Sequence, residues 1–182
     1  MAKVDVQGKS FFAASDGLVF AQVLITLFHD AKVAVTLSTL ILALLIALHY
    51  RNFQKTAFVL FCLSCGMLWM FVAMALFGLK LNFYNMIIIP AMIGMGEDNS
   101  VHVLDRFEEV GRTSMLDVLR TSGGAAFMAS VATILGYAGL CFAHHPGLNS
   151  IGWMAIIGLV TCLLASLVLL PLMAQVFLKP KK

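Results

Sequence analysis

Two adjacent carboxylates, Glu97 and Asp98, stand inside an apolar run that opens near Asn85 and closes near Leu104. If that run crosses a bilayer, both acids lie close to its middle. An ionised side chain there costs at least ~2.5 kcal/mol, so an acid at that depth points to function by default. The protonated form is far cheaper to hold in hydrocarbon than the charged form. The chemistry open to such a group is reversible proton binding, with a change of a full charge that can bias how neighbouring helices pack. On a helix, Asp98, His102 and Asp105 share one face. Gly94 sits one turn above Asp98 on that face and, with Gly96, leaves room for a helix or water to approach closely. Glu97 is turned about 100° from Asp98, so the two acids need not share a partner. Asn99 and Ser100 add hydrogen-bonding capacity. His102 lies near the far end of the run, either solvated or hydrogen-bonded to Asp98.

Other constellations carry less. Cys62 and Cys65 form a C-x-x-C, but both lie in an apolar run, where thiols pack between helices and a redox pair would be hard to reach. A metal held by Glu97, Asp98, His102 and the pair His144-His145 would need His144 and His145 on the same membrane face as His102, and the topology below puts them on the opposite one. No metal and no cofactor is expected beyond protons as a coupling ion. No nucleophile–base pair is visible, so the chain does not read as an enzyme.

The elements that position these residues follow from composition. The 182 residues are 61% hydrophobic and 12% charged, with a mean hydropathy of +0.96. So few charges cannot cover that much apolar surface in water, and lipid must be the solvent for most of the chain. The net charge of +3 is dispersed over short loops, which excludes a nucleic-acid partner.

The fold class expected is all-α and polytopic. Residues 1–17 are polar and mixed, an extracytoplasmic remnant or linker. Residues 18–31 are apolar but too short to span, and read as an interfacial amphipathic helix. Residues 32–178 hold five spanning helices, at 33–50, 56–77, 83–104, 123–142 and 150–177, each about the ~20 residues that a bilayer core needs. Runs this long without period-2 alternation do not suit barrel strands. The polar link 108–120 reads as a short helix along the membrane, and 179–182 as a basic tail.

Five spans put the termini on opposite sides. Arg51, Lys55, Arg106, Arg112, Arg120, Lys179, Lys181 and Lys182 fall on one side, and Lys3, Lys9, Lys32 and Lys80 on the other. The richer side is cytoplasmic by the positive-inside rule. The N-terminus and the loop around His144-His145 are then extracytoplasmic. An external N-terminus without a visible signal leaves insertion unexplained, so the chain is expected to be part of something longer.

Residues 90–109, Pro-Ala-Met-Ile-Gly-Met-Gly-Glu-Asp-Asn-Ser-Val-His-Val-Leu-Asp-Arg-Phe-Glu-Glu, resemble the fourth-helix signature of the resistance-nodulation-division (RND) superfamily. They look closest to its MMPL and hopanoid-exporter-like branch, with Gly94, Gly96, Asp98, His102, Arg106 and Phe107 matching the pattern. Residues 118–124, 129–137 and 145–152 are similar to the family's segments that follow, Leu170-Pro171 to its last helix end, and 8–30 to its exit from an extracytoplasmic domain. The resemblance implies helices two to six of one six-helix repeat, a bundle shared with sterol-sensing domains. A complete member has two such repeats, with a large extracytoplasmic domain after the first helix of each.

By position, Asp98 would be the proton-relay carboxylate, with Glu97, His102 and Asn99 around it. Where the multidrug branch has a second acid, this chain has Asn99, and its second acid is Glu97 on a different face. Ser130 and Thr133 are candidate hydrogen-bond partners of the relay by analogy. The function implied is the membrane part of a proton-driven exporter of lipids or hydrophobic compounds in the bacterial inner membrane. Its partners would be the bilayer, the substrate, the rest of the transporter and, in some form, further copies of itself. The alternatives are a lipid-sensing module without transport, or a piece inactive alone.

Overall fold

The structure, a computed structural model, describes residues 2–6, 9–13, 16–110 and 123–177. The expected link helix at 108–120, the basic tail at 179–182 and most of the 118–124 match lie outside the described residues. The first described segment departs from the all-α expectation. β1 (Ala2–Val6) pairs antiparallel with β2 (Lys9–Ala13), Ala2 opposite Ala13 and Val6 opposite Lys9. Val4 and Val6 alternate with Lys3 and Asp5, a short period-2 pattern that is easily lost beside the apolar runs downstream.

A second correction concerns residues 18–31. They are not a separate interfacial helix. α1 runs unbroken from Asp16 to Tyr50, and neither Gly nor Pro interrupts 18–50. At 1.5 Å per residue its 35 residues reach about 52 Å, against about 30 Å for a bilayer core. α1 is therefore far longer than one crossing. Leu27, Phe28 and Ala31 line an apolar cleft with Phe83, Met86 and Ile87, which sets that part of α1 level with the start of the next polar-flanked helix. Residues 17–26 are exposed apart from the half-buried Leu24.

α1 turns into α2 (Phe53–Leu76) through two residues. Arg51 sits at φ 47°, in the left-handed region, and Asn52 caps α2 by accepting a hydrogen bond from the Gln54 amide at 3.0 Å. A side chain in that region costs about 1–2 kcal/mol. Arg51→Gly is therefore expected to raise thermal stability by about 1 kcal/mol, read as a shift of the unfolding midpoint in detergent. α2 closes at Gly78, φ 67°, whose amide bonds to the Ala75 carbonyl while that of Leu79 bonds to Met74. The left-handed residue is what lets the chain leave the helix there.

The expected third span is broken in two. α3 (Phe83–Met86) is a single turn, capped reciprocally by Asn82 and Asn85, and α4 (Ile88–Val110) follows after Ile87. Asn85 is buried and also donates to the Lys80 carbonyl and to Ser150, so side-chain amides satisfy the backbone groups left free at the start of α3 and tie it to α6. α5 is Gly124–Cys141 and α6 is Pro146–Phe177, with Pro146 at the first helical position, where its missing N–H costs nothing.

α6 is the centre of the bundle and packs on α2, α4 and α5. Small residues allow this. A Cβ at Gly66 would lie 2.9 Å from the Cys162 Cα, and one at Gly158 would lie 2.7 Å from the Met92 Cε. In lipid, close van der Waals contact of this kind takes the place of hydrophobic exclusion as the force between helices. One buried cluster gathers Ile46, Val59, Cys62, Val103, Leu104 and Leu170 at the Tyr50 end. A second gathers Met70, Met74, Met92, Met154 and Leu159 at the other. Among the described residues four helices are long and apolar enough to cross a membrane: α1, α2, α5 and α6. The chain is a multi-pass membrane protein.

Candidate functional site: the polar face of α4

α4 carries Glu97, Asp98, Asp105, Glu108 and Glu109, whereas α2, α5 and α6 have no acid and α1 has only Asp16 and Asp30; α4 lies among these helices, in contact with α1, α2, α5 and α6. Its sides differ. Met92, Ile93, Gly96, Asn99, Ser100, Val103, Leu104 and Phe107 turn inward and are buried. Gly96 marks the tightest crossing: a Cβ there would lie 2.9 Å from the Cys162 Sγ and 3.1 Å from the Leu63 Cδ1. The Ser100 hydroxyl faces the Cys62 thiol at 3.6 Å.

Asp98 points away from this core. With Ala91 and His102 it is exposed on the outer face of α4, and nothing lies within 4 Å of a Cβ placed at Gly94. Among the described residues neither Asp98 nor His102 makes a hydrogen bond or an ion pair. α1 borders this face on one side, through the Tyr50 hydroxyl, which donates to the Val101 carbonyl at 3.3 Å. α5 borders it on the other, through the Asn99 amide, which donates to the Ser130 hydroxyl at 3.1 Å.

Glu97 is placed differently. It is 8% exposed and shares a side of α4 with Val101 and Leu104, which pack against the Ile46, Val59 and Cys62 cluster of α1 and α2. The two acids are therefore separated by the α1 flank: Asp98 outside the bundle, Glu97 in the wedge within it.

The remaining candidates divide. Ser130 is buried and engages Asn99, one residue from Asp98. Ser130→Ala would leave the buried Asn99 amide without its acceptor, and a loss of about 1–3 kcal/mol is expected in thermal unfolding. Thr133 donates to the Ala129 carbonyl of its own helix at 3.0 Å. Cys62, Cys65, Cys141 and Cys162 are all free thiols. Among the described residues no three His, Cys, Asp or Glu side chains are grouped to hold a metal ion.

One set was missed in the sequence. His49 on α1 lies 3.4 Å from the Asp105 carboxylate, and Lys55 on α2 pairs with Glu108. His49 and its partner stand 56 positions apart on different helices, a pairing that no local spacing reveals.

A family model described as protein export membrane protein SecD/SecF, C-terminal, matches residues 2–178. The chain belongs to this family. It is also 29% identical to the hopanoid transporter HpnN of Burkholderia multivorans over 53% of its own length and 11% of the relative's. It is 30% identical to the hopanoid transporter HpnN of Rhodopseudomonas palustris over the same shares. A membrane protein of Methanocaldococcus jannaschii, MJ1562, is 25% identical over 70% of the chain and 34% of that protein. The chain thus spans about a third of one relative and about a tenth of the others. No solved structure matches it. Together the SecD/SecF family and the hopanoid transporters set the chain among membrane transporter domains of RND type, whose descriptions name export and transport and not catalysis.

Proposed function

We propose that the chain is the membrane domain of a proton-driven RND-type exporter, that α4 is its fifth crossing, and that Asp98 carries the proton. The observation that carries this is the outward position of Asp98. An acid on the lipid-facing side of an isolated bundle is costly, on the order of 2.5–3.5 kcal/mol when charged at mid-bilayer. It becomes tolerable when another membrane segment covers it, and useful when covering depends on protonation. The cover we assign is an equivalent repeat, supplied by the rest of a longer transporter or by a second copy, meeting the Gly94–Asp98–His102 stripe. Gly94 supplies the room.

Protonation of Asp98 removes the charge from that seam and lets the covering helices close on it; release to the opposite side reverses this. Asn99, held by Ser130, fixes the rotation of α4 so that Asp98 keeps facing the seam. Arg51, Lys55 and Arg106 mark the cytoplasmic end and Lys80 the outer end, in a bacterial cytoplasmic membrane. The relatives described as hopanoid transporters favour a lipid or other hydrophobic substrate over a protein.

The test is transport of a fluorescent lipid analogue in membrane vesicles holding the full assembly. Export that stops when a protonophore collapses the gradient is the expected result. Specific binding that persists unchanged without a gradient, with no export at any time, would replace the transporter with a lipid-sensing module.

A further inference from the structure

We propose that His49 and Asp105 form the cytoplasmic proton port of this relay, and that the pair ties α1 to α4 while His49 is charged. This rests on the assignment of Asp98 as the proton carrier. Asp105 lies on the same face of α4 as Asp98 and His102. At 1.5 Å per residue, the climb is about 6 Å from Asp98 to His102 and about 4.5 Å from His102 to Asp105. Each step is one that a single bridging water covers. At the end of this stripe His49 Nε2 stands 3.4 Å from Asp105 Oδ2 and 3.5 Å from Oδ1. Both side chains are half-exposed, so the pair is wet on its outer side.

The groups around the pair single it out. From α1 come His49 and Tyr50, the latter hydrogen-bonded to the Val101 carbonyl. From α2 comes Lys55, paired with Glu108 and 6.0 Å from the Tyr50 ring centroid. Arg106 on α4 turns to Glu109 at 2.7 Å. α5 and α6 bring no Asp, Glu, Lys, Arg or His. Three ion pairs therefore gather at this end among the described residues. Two use Lys or Arg, which keep their charge throughout the neutral range. Only one uses histidine, the side chain that changes charge there. That pair alone is able to accept a proton from the stripe and give it up.

The step balances. The protonated Asp105 carboxyl passes its proton to Nε2 of His49, leaving a carboxylate and an imidazolium held together. The imidazolium then loses the proton to cytoplasmic water, and the neutral ring no longer attracts Asp105. Since His49 belongs to α1 and Asp105 to α4, each discharge loosens one helix from the other.

The experiment uses the protein with its membrane partners in proteoliposomes, the cytoplasmic face inward and pyranine sealed inside. An external acid step is applied, and the rate of internal acidification is followed at internal pH values from about 6 to 8, the range histidine covers. For the wild type, the rate is expected to depend on internal pH across this range. Asp98→Asn is expected to conduct no protons. His49→Gln removes the base, and His49→Arg keeps the ion pair with Asp105 but cannot release a proton. Both are expected to conduct at least about tenfold more slowly, with little dependence on internal pH, since a positioned proton-transfer group contributes about 10²–10⁴-fold. His49→Arg retains the α1–α4 tie, so it separates proton release from a purely structural role. Wild-type rates and pH dependence in either His49 variant, with Asp98→Asn silent, would overturn the port alone. A wild type whose flux is flat over this range would overturn it too, without any variant. Undiminished conduction by Asp98→Asn would remove the relay on which it rests.

Discussion

Gly96→Leu is expected to dismantle the bundle. The position lies where α4 crosses α2 and α6 with no room for even one further carbon: the Cys162 Sγ and Leu63 Cδ1 stand 2.9 and 3.1 Å from a Cβ there. Cys162 is itself pressed against Gly66, so α6 cannot yield to α4 without colliding with α2. A single added methyl in a packed core costs about 1–3 kcal/mol, and four added carbons at such a crossing exceed what local shifts absorb. Gly96→Ala should lower the unfolding midpoint in detergent clearly, and Gly96→Leu should abolish recovery of folded protein. Gly94 is the matched control. Nothing within the described residues opposes a side chain there, so Gly94→Ala should be neutral or mildly stabilising in the isolated chain, by up to about 1 kcal/mol of helix propensity. If the outer face of α4 is a seam with another repeat, Gly94→Leu should leave the isolated chain folded while weakening that assembly.

The second large effect is Asp98→Asn. Asp98 makes no hydrogen bond or ion pair among the described residues and lies on the outer face of α4, so the fold of the chain should survive the change intact. Proton-coupled transport should not. An amide has nearly the same shape but carries no titratable proton, so the seam would be held in one charge state, and turnover is expected to fall by ~10² or more. Glu97→Gln makes the instructive contrast. Glu97 lies inside the α1–α2–α4 wedge, 8% exposed. Its neutral isostere relieves the desolvation of a buried charge, and stability should rise or hold in a thermal melt. If transport in Glu97→Gln stays within a few-fold of wild type while Asp98→Asn is silent, the two neighbouring acids have separate roles.

Much of the site was legible in the sequence because it rests on helical spacing. Asp98, His102 and Asp105 share a face, Glu97 points elsewhere, and these statements need only 100° per residue. Which of the two acids faced outward was not legible. The sequence showed two costly charges; only the packing of Gly96 against Cys162 and the bond from Asn99 to Ser130 fixed the rotation of α4. The long helix α1 was misdivided because Asp30 and Lys32 read as a boundary. Charged residues break a hydropathy run without breaking a helix, and where neither Gly nor Pro intervenes the backbone continues. The break at Ile87 was invisible for the opposite reason. Residues 83–89 are apolar throughout apart from Asn85, and the paired caps of Asn82 and Asn85 mark where the turn starts, not where it ends. His49 was missed because its partner belongs to another helix, and contacts of that kind leave no periodic trace.

The central claim is that Asp98 is the group that takes up and releases the proton. The most direct measurement is infrared difference spectroscopy of the protein in lipid, lowering the pH stepwise and following the carbonyl stretch of protonated carboxyl groups. A band that grows on acidification, persists in Glu97→Gln and vanishes in Asp98→Asn is the predicted result. A band that is unchanged in Asp98→Asn and lost in Glu97→Gln would contradict the claim and move the relay from the outer face of α4 to the wedge inside the bundle.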